Sequence, residues 1–144
     1  MIFNQEDQKI LNDIEFDRSQ YSGFSITLDK SLYRWTSLTK ECALGYADDV
    51  SEYTNDLASR DFIWRVMDKI SEDGKKQLEE ILVPIDKLFI QSTVEIDNPI
   101  MAYDWVKPNE HFWYYRIPCK IAKNEISAFE SQTGKSLKGL INEI

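Results

Sequence analysis

The sequence predicts a helix-dominated α+β domain: several amphipathic helices over about residues 28–90 packed on a small antiparallel sheet of two or three strands within 93–118, then a C-terminal helix or helices. Two patterns carry that reading. Through residues 28–90 apolar side chains recur at steps of three and four, the spacing of one helix face. From 93 to 118 the pattern changes to alternation and to residues that favour strands, with prolines as punctuation. With 144 residues, 42% of them apolar, residues 1–144 form a single globular domain. Such a chain buries enough surface to need neither a disulfide nor a metal for stability.

The first segment places Ile10, Leu11 and Ile14 at helical spacing, and Tyr21-Ser22-Gly23 marks a break. Leu28, Leu32, Trp35, Leu38, Cys42 and Tyr46 then form the stripe of a long helix, with Gly45 as its stop signal. Val50, Tyr53 and Leu57 make a shorter stripe, and Phe62, Ile63, Val66, Met67 and Ile70 another. Ser59 and Asp61 are expected as caps between those two. Leu78, Ile81, Leu82, Ile85, Leu88 and Phe89 define the clearest helix. Pro84 either kinks it or splits it in two.

Thr93–Ile96 alternates, Asp97-Asn98-Pro99 is a turn signal, and Ile100–Val106 reads as a second strand. A turn at Lys107–Glu110 leads into His111–Ile117, read as a third strand that Pro118 ends. Helices are expected from Ala122 to Gln132, with Ile126 and Phe129 inward, and over Leu137, Leu140, Ile141 and Ile144.

Charge excludes several functions. The chain has 25 acids against 17 bases, a net charge of −8. Nucleic acid and anionic membrane surfaces are therefore not expected as partners, since both demand concentrated Lys and Arg. No apolar run approaches the ~20 residues of a membrane span, and the start lacks the features of a secretory signal. A cytoplasmic location is expected, with Cys42 and Cys119 as free thiols.

No motif names a reaction. Thr133-Gly134-Lys135-Ser136 resembles the end of a phosphate loop, but Phe129 stands where that loop needs glycine, and a turn capped by Gly134 is the plainer reading. His111 has no partner at metal-ligand spacing, so no metal and no cofactor are expected. On one extended strand His111 and Cys119 would stand about 26 Å apart, too far for a nucleophile pair.

Two features point to binding instead. From Glu41 to Ser59 there are five acids and no base; Asp48, Asp49, Glu52 and Asp56 form an expected partner-binding stripe facing solvent. On a strand, residues 111–118 would be aromatic on both faces, so Phe112, Tyr114 and Arg116, extended by Tyr103 and Trp105, form a second expected contact face. The leading expectation is an acidic protein-binding module for a basic protein partner, in its narrowest form an inhibitor or immunity-type protein that masks a nuclease-like toxin. The alternative is a homodimer or other homo-oligomer that buries its aromatic face. The third is a small enzyme with a site near His111, using Asp104, Glu110, Tyr114 and Arg116.

Overall fold

In the computed structural model, which describes residues 1–144, each of the first four helices begins where a side chain supplies the missing acceptor. Asn4, Thr27, Asp49 and Ser71 cap α1 (Gln5–Ser22), α2 (Leu28–Leu44), α3 (Val50–Lys69) and α4 (Glu72–Gln91). Gly23 closes α1 at φ 78°, and Gly45 accepts the end of α2. β1 (Thr93–Glu95) pairs antiparallel with β2 (Arg116–Pro118). β3 (Lys120–Ile121) pairs in parallel with β4 (Asn142–Glu143) at the chain's end, and α5 (Ile126–Thr133) lies between them. The architecture is helix-dominated α+β, as the periodicities predict.

α2 is the central helix and packs on both α3 and α4. Its buried row of Leu28, Trp35, Leu38 and Cys42 meets Tyr53, Leu57, Ile63 and Val66 of α3 and Leu78, Leu82 and Phe89 of α4. Tyr46, Tyr53 and Phe129 stack edge to face, with centroids 5.4 to 6.1 Å apart, and join the helices to α5.

Several expectations need correction, and one open alternative is resolved. Residues 50–69 are one helix, not two. Ser59 and Asp61 are buried in its interior and bonded within the helix: the Ser59 hydroxyl donates to the Asp56 carbonyl, and Asp61 Oδ2 accepts from Arg65 Nε at 3.0 Å. Pro84 does not split α4, which runs through it with the proline on the solvent side.

Ile100–Val106 forms no strand. Phe112–Tyr115 is a single 3-10 turn, and β2 begins only at Arg116. Here a folded-back chain takes the hydrogen bonds: Ile96 and Ile100 N–H donate to the Tyr115 and Tyr114 carbonyls. Finally, residues 137–144 turn into β4 instead of a helix, because Asn142 and Ile144 N–H reach the Cys119 and Ile121 carbonyls. The turn capped by Gly134 is present, with φ 73°.

Candidate functional site

The acidic stripe is assembled by local chemistry. Asp49 caps α3 by accepting from Glu52 N–H at 2.8 Å, and Asp48 accepts from Asp49 N–H at 2.8 Å. Both acids therefore sit at the positive end of the α3 dipole, which stabilises them. Glu52 follows on the exposed face, and Asp56, one turn further, is half-buried. Glu41 approaches from the end of α2. Burial, then the charge of Glu41, push the Asp56 carboxyl up from 3.8 to about 6; Arg34 pulls it back, and Glu52 and Asp48 add lesser upward pushes. Not one of Glu41, Asp48, Asp49, Glu52 and Asp56 has a Lys, Arg or His nitrogen within 4.0 Å. The carboxylates thus remain uncompensated at one corner of the molecule.

The aromatic set does not form the expected face. With Phe112–Tyr115 wound into a turn, Trp113 and Tyr114 point into the core and are 0% and 2% exposed. Burial and the Asp61 charge push the Tyr114 hydroxyl above the usual tyrosine range. Phe112 is half-buried. Arg116 is committed to the sheet: Nε donates to the Thr93 hydroxyl at 2.7 Å, and its terminal nitrogen to the Ile90 and Thr93 carbonyls. Only Tyr103 and Trp105 remain at the surface, stacked at 5.1 Å with 10° between the rings, and the Arg65 guanidinium lies 5.3 Å from the Trp105 ring.

His111 is buried among Trp64, Trp105 and Trp113. Its Nδ1 accepts from Lys107 N–H at 3.1 Å, so the proton of the neutral ring belongs on Nε2. That nitrogen faces Asp61 Oδ1 at 4.0 Å, too long for a hydrogen bond, and neither atom has another partner. Asp104 and Glu110, the other ionisable members proposed for a site near His111, stand on the exposed loop, and Arg116 is held at the sheet. The structure does not gather these groups around the imidazole.

Comparison with known proteins finds no matching family model, curated protein or solved structure. Function therefore has to be argued from this chain's own geometry.

Sequence reasoning missed the buried polar network beneath these surfaces. Arg60 grips Asp86 with two bonds of 3.1 and 3.0 Å, and Trp35 Nε1 donates to the same carboxylate at 2.9 Å. The guanidinium also lies 4.7 Å from the Trp113 ring. This network fixes α2, α3, α4 and the aromatic turn to one another. Arg60 and Asp86 are 26 positions apart, so no local pattern announced it. No helix is long and apolar enough to cross a membrane.

Proposed function

We propose that this protein is a binding module that docks a basic protein partner through the carboxylates at the corner of α2 and α3. The observation that carries the reading is the set Glu41, Asp48, Asp49, Glu52 and Asp56, free of any ion pair, in which mutual repulsion adds to burial in lifting Asp56 to about 6. Lysines or arginines of a partner would relieve that repulsion, and the net charge of −8 would speed their approach. Tyr103 and Trp105 supply a second, apolar contact near Arg65. The narrowest form of the proposal is an inhibitor of the immunity type, whose acidic corner fills the positively charged cleft of a nuclease-like toxin; its support is complementarity of charge.

The test is capture from source-cell lysate by the wild-type chain and by D48K/E52K/D56K, with bound proteins identified by mass spectrometry. A basic protein retained by the wild type at low salt, and lost with the variant or at high salt, is the expected result. If that protein is a nuclease, an equimolar amount of the chain suppresses its DNA hydrolysis. Equal retention by a correctly folded variant overturns the reading.

A further inference from the structure

Behind the acidic corner, the end of α1, the 24–26 loop, the first turns of α2 and the middle of α3 enclose a cleft of about 680 Å³, a size typical of small-ligand sites. Three of the chain's five arginines line it: Arg18, Arg34 and Arg65, joined by Lys30. Arg65 is engaged by Asp61. Arg18, Lys30 and Arg34 have no carboxylate within 4.0 Å, although acids outnumber bases by eight in this chain. Across from them, Glu52 and Asp56 project from α3, equally without a cation in contact. Arg34 is near enough to draw Asp56 downward, yet no ion pair closes the gap. The cleft thus carries unpaired cations from α1 and α2 and unpaired carboxylates from α3, with the apolar Phe24, Ile26 and Phe62 among the lining residues.

We propose that this cleft binds a short mixed-charge peptide segment: an acidic side chain on Arg18, Lys30 and Arg34, and a nearby basic one on Glu52 and Asp56. A ligand carrying both signs satisfies both walls at once. A ligand of either sign alone leaves one wall unmatched and repelled.

The probes are three capped tripeptides, Lys-Gly-Glu, Lys-Gly-Gln and Gln-Gly-Glu, titrated against the isotope-labelled full chain and followed by backbone amide shifts. Lys-Gly-Glu is expected to bind at least tenfold more tightly than either singly charged peptide, with shifts at residues 18–34 and 52–65. Arg34→Gln should abolish its advantage over Lys-Gly-Gln, and Glu52→Gln its advantage over Gln-Gly-Glu. Both positions are exposed, and amide spectra of the variants verify folding. No shift at these residues with 10 mM peptide, or equal affinity for all three, overturns the proposal. The docking reading is separable, because R18Q/R34Q leaves Asp48 and Asp49 in place and should still capture a basic protein.

Discussion

Replacing Asp56 with Asn isolates the cost of holding a half-buried charge in the acidic corner. The side chain makes no hydrogen bond or ion pair, and Asp and Asn have similar helix propensities, so the exchange removes charge and little else. Folding raises the carboxyl from 3.8 to about 6, so the folded state favours the protonated form. Above pH 6 the ionised group destabilises the fold in full; the penalty falls as pH drops from 6 towards 3.8 and is gone below that. At about 1.36 kcal/mol per tenfold change in affinity for the proton, the full shift corresponds to at most about 3 kcal/mol. Solvent screening of a half-exposed group reduces that to about 1 kcal/mol, or about 3 °C in Tm. Urea unfolding of Asp56→Asn at pH 8 should therefore show a gain of about 1 kcal/mol that shrinks steadily below pH 6 and is gone by about pH 3. A variant no more stable at pH 8, or a gain independent of pH, would refute the electrostatic account. The same variant should capture a basic partner less well, so that the charge is retained at a cost to stability.

Other consequences are equally direct. Asp86→Ala strands a buried guanidinium and the Trp35 indole N–H, and should cost at least about 3 kcal/mol in urea unfolding; a loss below about 1 kcal/mol would show the network to be dispensable. Gly74→Ala would normally favour a helix by up to about 1 kcal/mol. Here the added methyl would meet Asp7 Oδ2 at 2.6 Å, where Ser71 pins that carboxylate with two hydrogen bonds, so thermal melting should show a net loss of stability. Burial raises the Cys42 thiol far above its ordinary range and Cys119 is half-buried, so a thiol reagent on the native chain at pH 8 should label Cys119 well ahead of Cys42. Equal rates would contradict the packing around α2.

The helices were legible where one face is continuously apolar. α2 and α4 show this, and Gly45 marks the end of α2 as expected. α3 was misdivided because Ser59, Arg60 and Asp61 interrupt its stripe; they are buried, Ser59 and Asp61 bonded within the helix and Arg60 paired with Asp86 of α4, which periodicity cannot register. α1 was underestimated because it buries only Asp7 and Leu11. The aromatic run failed as a strand for a related reason. Strand preference in Phe, Trp and Tyr reflects a half-buried pleated surface, and Trp113 and Tyr114 are instead core residues of a turn. The acid stripe was legible because Asp49, Glu52 and Asp56 lie at helical spacing from the cap into α3. Its cationic counterpart was not: Arg18, Lys30, Arg34 and Arg65 come from three helices, and only the tertiary fold places them around one cleft.

Pro84 has a consequence for how the molecule opens. Lacking an amide hydrogen, it leaves the Glu80 carbonyl to water in the middle of α4. The turns before it are anchored by Leu78 and Leu82, those after it by Asp86 and Phe89. Deuterium uptake along this one rod should accordingly resolve into two protection blocks with the seam at residue 84, the later block breathing only when the Arg60 grip lets go.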